Sequence, residues 1–122
     1  FDDYSVLGHL DVIRRYDLKG DYPFEKIEAI VEQILKRVIS QGKGIEINTS
    51  CYRYRLNNLT PSREILRLYK DLGGEIITIG TDSHRPEHVN CHIDDVQAEL
   101  LNMGYKYICT FDKMTPTFHK IK

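Results

Sequence analysis

The 122-residue sequence has no long apolar run, no excess of charge of either sign and no closely spaced pair of cysteines. Its apolar runs are only a few residues long, so none is predicted to span a bilayer. Seventeen Lys and Arg residues balance eighteen Asp and Glu residues to a net charge of -1, which argues against a strongly basic nucleic-acid binder and an acidic disordered tail. The three cysteines form no C-x-x-C motif, so we expect reduced thiols in a cytoplasmic protein.

What the sequence does contain is a regular alternation of two kinds of segment. With 41% apolar residues, the chain can build the core of about one domain. Short apolar or β-branched stretches predict strands at residues 5–8, 45–49, 75–80 and 105–111. Apolar residues spaced three and four apart predict helices at 23–41, at 61–72 with Thr60 as the N-cap and Pro61 in the first turn, and at 93–103. A charged turn at 17–21, a loop at 51–59 and a polar tail at 112–122 complete the chain.

The order β-α-β-α-β-α-β predicts an α/β protein in which parallel strands are joined by helical crossovers. Parallel strands must be covered on both faces or closed into a barrel. Four such strands are enough for a small open sheet or for half of a barrel, and the pattern itself leaves both possibilities open.

Chemically capable side chains collect where three of the predicted strands end. The first strand is followed by His9 and Asp11, the second by the segment 50–53, which includes Arg53, and the third by the segment 81–85. Because ligand sites of parallel α/β proteins form at the carboxyl ends of the strands, we expect these segments to converge on one rim.

Asp82 and His84 form the sharpest candidate pair, because a carboxylate and an imidazole two residues apart can reach one metal ion or two adjacent ones. Oxygen and nitrogen donors of this kind suit Zn, Mn or Fe(II). The alternative is an Asx turn from Asp82 beside an exposed His84, and His9 alone is typical of a histidine that donates to a backbone carbonyl. Asp11 is better explained as a helix cap, or as a residue that orients a ligating histidine, than as a ligand.

Arg53 and Arg85 stand beside these residues and could clamp a phosphate, since the planar guanidinium binds two oxygens at once. Without a metal site beside them, each is better explained as a surface arginine whose stem is packed. The alternating aromatic and basic residues at 52–55 are also found in single-stranded nucleic-acid binding, but one short cluster at near-zero net charge makes that partner unexpected. His88 and His92 are interpreted as solvent-exposed residues.

Three ordered motifs resemble the PHP (polymerase and histidinol phosphatase) superfamily, and within it the PHP-type histidinol-phosphatases. The motifs are residues 8–16 (GHLDVIRRY), residues 46–50 (EINTS) and residues 74–87 (GEIITIGTDSHRPE). The resemblance runs over nearly the whole chain. These residues lack, however, the H-x-H motif and the further metal ligands that the family carries near the N-terminus of its domain. The resemblance therefore implies that residues 1–122 form the C-terminal half of a PHP domain.

The resemblance implies a distorted (β/α)7, TIM-like barrel with up to three divalent metal ions (Zn, Mn or Fe) at the strand ends. It also implies that His9, Asp82 and His84 are metal ligands of a catalytic centre, and that Arg53 and Arg85 contact the phosphate of the substrate. Half of such a barrel would leave open strand edges, so we expect self-association through those edges.

The activity that the resemblance implies for the complete domain is metal-dependent hydrolysis of L-histidinol phosphate to L-histidinol and phosphate, in histidine biosynthesis. This chain alone is expected to be inactive or nearly so. The expected partner is a small phosphorylated substrate, with no nucleic acid and no membrane. Two alternatives stay open: a PHP phosphoesterase or nuclease that acts on another phosphate, and a non-catalytic α/β domain that binds a partner through its strand-end loops.

Overall fold

A computed structural model of the chain describes residues 1–17 and 22–122, so most of the predicted turn at 17–21 lies outside the described residues. The strands are β1 (Val6–Leu7), β2 (Gly44–Asn48), β3 (Ile77–Gly80), β4 (Tyr107–Asp112) and β5 (Thr115–Lys120). The α-helices are α1 (Glu28–Ser40), α2 (Ser50–Arg53), α3 (Arg63–Asp71) and α4 (Ile93–Asn102). Short 3-10 turns occur at Val12–Arg15, Phe24–Lys26 and Pro86–His88. In the part of the chain that the structure describes, every helix is too short or too polar to cross a membrane.

The first three strands form a parallel sheet in which β2 lies between β1 and β3. Val6 is paired with Gly44, and Glu46 is paired with Thr78. Helix α1 connects β1 to β2 and helix α3 lies between β2 and β3, as parallel neighbours require. The predicted parallel α/β arrangement is confirmed for these strands, and α1, α3 and α4 all fall within their predicted segments.

The hydrophobic core lies between the helices and one face of this sheet. Ile45 and Ile47 on β2 and Ile77 on β3 are fully buried, in one cluster with Leu35 of α1 and Leu66 of α3. Because side chains alternate along a strand, the residue between the two isoleucines of β2 points to the opposite face. That residue is a glutamate, and its face of the sheet is only partly covered.

The prediction that Thr60 caps the second long helix is wrong. The N-cap of α3 is Ser62, whose backbone is extended and whose Oγ accepts a hydrogen bond from the N–H of Ile65 at 3.4 Å. Thr60 instead forms an isolated antiparallel bridge with Asn48 at the end of β2. The predicted loop at 51–59 is also corrected, since its first residues belong to the short helix α2.

The prediction of a fourth parallel strand followed by a polar tail is wrong as well. Strand β4 pairs antiparallel with β5, so most of the supposed tail is a strand in a separate two-stranded sheet. The two strands are joined by Lys113 and Met114, which both adopt left-handed backbone conformations with φ of 48° and 64°. A two-residue turn of this kind joins antiparallel strands directly, which no parallel connection can do.

Candidate active site

The carboxyl ends of the parallel strands form one rim of the sheet. The N–H of Thr49, directly after β2, donates to the carbonyl oxygen of Gly80 at the end of β3 at 2.8 Å. The side-chain Oδ1 of Asn48 accepts a hydrogen bond from the N–H of Ser50 at 2.9 Å. These buried contacts fix the end of β2 against the end of β3, and the loops that follow the strands start from this fixed edge.

Asp82 is the centre of the charged contacts on this rim. Its Oδ2 accepts a hydrogen bond from Nη1 of Arg15 at 2.9 Å, and the Asp82 side chain is 19% exposed. The hydrogen bond from Arg15 lowers the pKa of Asp82 below its ordinary value, partial burial opposes this, and the charges of His84 and His9 lower the pKa further. Asp82 is therefore ionised at neutral pH, and both histidines lie near enough to act on its charge.

The two candidate histidines approach Asp82 from different segments. The Nδ1 atom of His84 lies 2.8 Å from the carbonyl oxygen of Asp82, and the His84 ring is exposed. His9 is also exposed and follows β1, on the far side of the sheet from β3. His9 and His84 are thus both near enough to Asp82 to act on its charge, and the described hydrogen bond between them and this residue runs from the His84 ring to the Asp82 backbone.

Backbone conformation at the rim is unusual for residues that carry side chains. His9, Asp11 and Asp82 have positive φ angles of 56°, 68° and 50°. Left-handed conformations are unfavourable for residues other than glycine, although Asn, Asp and His adopt them more readily than most. Positive φ also occurs away from the rim, at Lys113 and Met114 of the hairpin, so these angles mark tight turns in the loops rather than a functional site by themselves.

The two arginines predicted to contact phosphate differ in their surroundings. Arg53, at the end of α2, donates from Nη1 to the carbonyl oxygen of Thr81 at 2.8 Å and from Nη2 to that of Asp82 at 3.0 Å. It thereby supports the loop after β3 and keeps further N–H groups for a ligand. The side chain of Arg85 is exposed, and its guanidinium forms no hydrogen bond or ion pair with the described residues.

Arg15 is a site residue that the sequence analysis missed. Besides its bond to Asp82, its Nη1 donates to Oγ of Ser50 at 3.1 Å, and its guanidinium lies 4.5 Å from the ring centre of Tyr54. These contacts join the segments that follow all three parallel strands. The residue does lie in the motif at 8–16, but the sequence carries no sign of a partner 67 positions away.

Other side chains on or near the rim have structural roles. Asp11 does not cap the 3-10 turn that follows it; its Oδ2 accepts a hydrogen bond from the N–H of Ser62 at 3.1 Å and so joins the rim to α3. The Cys51 thiol is buried, and burial raises its pKa, which disfavours the reactive thiolate. His92 is exposed as expected, stacked on Tyr52 with ring centres 4.3 Å apart, whereas His88 is partly buried.

The donors on the rim fit part of a metal site. One ionised carboxylate and two imidazoles are the oxygen and nitrogen donors that Zn, Mn and Fe(II) accept. Among residues 1–17 and 22–122, however, no group of three or more His, Cys, Asp or Glu side chains is arranged to hold a metal ion on its own. The rim therefore has donors of a suitable chemical type, and the described residues alone do not arrange them as a complete metal site.

Comparison with known proteins shows which enzymes this chain is similar to. No protein-family profile matches the chain. It is 32% identical, over 93% of its length, to a probable histidinol-phosphatase of Thermotoga maritima and covers 47% of that protein. It is also 32% identical to the histidinol-phosphatase of Lactococcus lactis, of which it covers 43%. The chain thus spans about half the length of the curated relatives it matches.

A solved structure shows the same relationship in three dimensions. The crystal structure of the Lactococcus lactis histidinol phosphate phosphatase, complexed with zinc, L-histidinol and phosphate, matches 96% of this chain with a TM-score of 0.76 and 30% sequence identity. The match covers 45% of the Lactococcus protein.

The fold and the strand-end rim place the chain among the α/β proteins that bind ligands at the carboxyl ends of parallel strands. The similarities in sequence and structure point to a narrower group of proteins than the fold alone does. The chain is similar in sequence and in structure to PHP-type histidinol-phosphatases, and it corresponds to about half of such a protein. The resemblance found in the sequence is thereby confirmed.

Proposed function

We propose that the complete domain to which these residues belong is a phosphomonoesterase that hydrolyses L-histidinol phosphate with the help of divalent metal ions. The observation that supports this proposal is the position of Asp82 at the carboxyl ends of the parallel strands, where Arg15 donates to it and His9 and His84 act on its charge. Relatives at 32% identity are named for this activity, and the Lactococcus lactis neighbour holds zinc, L-histidinol and phosphate. The partial match to these relatives supports a partial PHP domain over residues 1–122.

In this proposal His9, Asp82 and His84 hold zinc, or Mn or Fe in its place. A bound divalent ion lowers the pKa of water and neutralises charge on the phosphoryl group. The chain's own contribution is to fix the Asp82 carboxylate on the rim through the hydrogen bond from Arg15, which also lowers its pKa. Further ligands come from outside the described residues, as the incomplete donor set requires.

Arg53 and Arg85 are proposed to bind the phosphate of the substrate. Arg85 has an exposed guanidinium that no described residue engages, so it can turn towards an anion without losing a contact. Arg53 is fixed by two backbone carbonyls and presents its remaining N–H groups from a set position. Held near the phosphorus, such donors stabilise the charge that develops on the phosphoryl oxygens during hydrolysis.

The test is phosphate release from L-histidinol phosphate by the natural polypeptide that carries these 122 residues. We expect zinc-dependent activity that a strong chelator abolishes. Asp82→Ala should lower the rate by at least about a hundredfold, since it removes a ligand of the metal site. Asp94→Ala, which removes an exposed carboxylate from α4, is the matched control and should leave the rate unchanged. Full activity in chelator, or a normal rate in Asp82→Ala, would contradict the proposal.

The alternatives from the sequence lead to different results in the same assay. Hydrolysis of other phosphomonoesters or of single-stranded DNA, with none of L-histidinol phosphate, would favour a PHP phosphoesterase or nuclease of another specificity. Absence of both phosphate release and bound metal would favour a non-catalytic domain. For the 122 residues taken alone, the incomplete donor set leads us to expect little or no turnover.

We also infer that the outer edge of β1 is an association surface for a second copy of the chain. Among the described residues β1 pairs only with β2, and beside it lies an open groove of about 570 Å³ lined mainly by apolar side chains, including Val6, Leu7 and Ile34. Unpaired edges of this kind favour strand addition. Sedimentation of the chain should show concentration-dependent dimers, weakened by Ile34→Lys but not by Ile30→Lys on the exposed side of α1. A monomer at all concentrations would contradict this.

A further inference from the structure

Glu46 occupies a position that neither the fold nor the proposed ligand set explains. It lies on β2, the middle strand of the parallel sheet, on the face opposite the buried Ile45 and Ile47. The neighbouring strands β1 and β3 lead directly to His9 and Asp82. A carboxylate on this face is therefore flanked by the two strands that deliver the proposed metal ligands.

Two glycines make room for the Glu46 side chain. A methyl group added at Gly80, the last residue of β3, would overlap Oε1 of Glu46. One added at Gly8, the residue before His9, would lie 3.2 Å from Oε2 of Glu46. The carboxylate thus lies across the ends of both neighbouring strands, immediately before the residues that form the rim. Any side chain at Gly80 would force it to move.

The Glu46 carboxylate forms no hydrogen bond or ion pair with the residues that the structure describes, although the residue is only partly exposed. A carboxylate without a partner attracts a positive charge that binds nearby. The described basic side chains on the rim are engaged elsewhere or are directed to solvent, as Arg15, Arg53 and Arg85 show. A cation bound at the rim would give this carboxylate a neighbour of opposite charge.

We propose that Glu46 is a positioning residue beneath the metal site, where its negative charge raises the affinity of His9, Asp82 and His84 for divalent cations. This inference rests on the proposed function and extends it to a residue of the middle strand. Glu46 acts from below the rim, through the field it adds, while the three ligands contact the ion. Glycine at positions 8 and 80 keeps the carboxylate in place.

The test is zinc affinity, measured on the metal-free natural polypeptide by competition with a chromophoric chelator. Glu46→Gln keeps the shape of the side chain and removes its charge, and we expect affinity to fall about tenfold or more, as for other residues that support metal ligands. Glu75→Gln is the control, because it removes an exposed carboxylate just before β3, at the opposite end of the same sheet. It should change the affinity less than twofold.

Gly80→Ala provides a second variant in which the charge stays but its position changes. It should also weaken zinc binding, and it should have no further effect in the Glu46→Gln background. Three results would each overturn the inference. The first is a zinc affinity of Glu46→Gln within twofold of wild type, and the second is an equal loss of affinity in Glu75→Gln. The third is an effect of Gly80→Ala that is as large in the Glu46→Gln background as in wild type. If wild type itself binds no zinc, the proposed function fails first, so the two failures are distinguishable.

Discussion

Replacing Arg15 by methionine removes the guanidinium that binds Asp82 while keeping most of the apolar length of the side chain. The change deletes the 2.9 Å hydrogen bond to Asp82 and the 3.1 Å hydrogen bond to Ser50. It also deletes the cation–π contact with Tyr54, whose ring centre is 4.5 Å from the guanidinium carbon. We expect the folded state to lose stability, and the acidity of Asp82 to return towards that of an isolated carboxyl.

The expected size of the effect follows from how far the pair is removed from water. Hydrogen bonds to charged groups contribute about 1.5–3 kcal/mol when well buried, whereas exposed ion pairs contribute about 0.2–1 kcal/mol. The side chains of Arg15 and Asp82 are 8% and 19% exposed, between these cases, so we assign about 1 kcal/mol to the pair. With about 1 kcal/mol for the other contacts, Arg15→Met should lower the free energy of unfolding at pH 7 by about 2 kcal/mol.

The pH dependence of this loss has a definite sign. The pKa of Asp82 is lower in the folded than in the unfolded chain, so the pair stabilises fully above the unfolded-state value of about 4. The stabilisation is lost as the pH falls through the folded-state pKa, because the carboxyl group is then protonated. Urea unfolding of wild type, Arg15→Met, Asp82→Asn and the double variant at pH 7, 4 and 3 gives the coupling free energy at each pH.

The coupling should be largest at pH 7 and should decline towards pH 3. The exposed pair of Glu32 and Lys36 on α1 is a suitable comparison, and a Glu32→Gln, Lys36→Met cycle should give a smaller value. A coupling below about 0.3 kcal/mol at pH 7, or one that is unchanged at pH 3, would refute the reasoning about Asp82.

Other consequences can be tested by unfolding measurements on the same chain. Gly74→Ala would place a methyl group in the ring of the fully buried Tyr69 and should lower the free energy of unfolding by about 2 kcal/mol; a loss below about 0.5 kcal/mol would show that the ring has room to move. Ser62→Ala removes the N-cap of α3 and should cost about 1 kcal/mol, whereas Ser40→Ala at the exposed end of α1 should cost less. Equal effects of the two serine changes would argue against the cap.

The periodicity of apolar residues predicted the parallel part of the fold, but it did not predict the hairpin of β4 and β5. The β-branched run at 75–80 and the three-and-four spacing of α1 and α4 reflect burial on one face, which is a local property of the sequence. The direction of β4 depends instead on the turn at Lys113 and Met114. Such turns are usually formed by glycine, asparagine or aspartate. Because Lys113 and Met114 are none of these, the sequence did not indicate a hairpin turn here. Pro116 within β5 also disfavoured a strand, although an edge strand tolerates proline.

The sequence predicted the rim on which the candidate side chains lie, but not their contacts. The rule that ligands bind at the carboxyl ends of parallel strands was enough to place His9, Asp82 and His84 on the loops of that rim, and their role as metal ligands stays a prediction. The partners of Asp82 and Arg53 depend on side-chain directions across neighbouring loops, and no local pattern encodes these. Glu46 was passed over because an alternating strand with one polar residue is what any half-exposed strand shows. Only the glycines on both sides of it, seen in three dimensions, distinguish it.

Glycine is the residue best suited to the left-handed backbone found at His9 and Asp82. Substituting glycine at either position would relieve about 1 kcal/mol of main-chain strain while deleting a donor of the proposed metal site. Conformational stability therefore favours glycine at these two positions, whereas the proposed metal site favours the histidine and the aspartate. A library selected for heat resistance alone should accumulate glycine or asparagine there, whereas a library selected for phosphate release should keep the imidazole and the carboxylate.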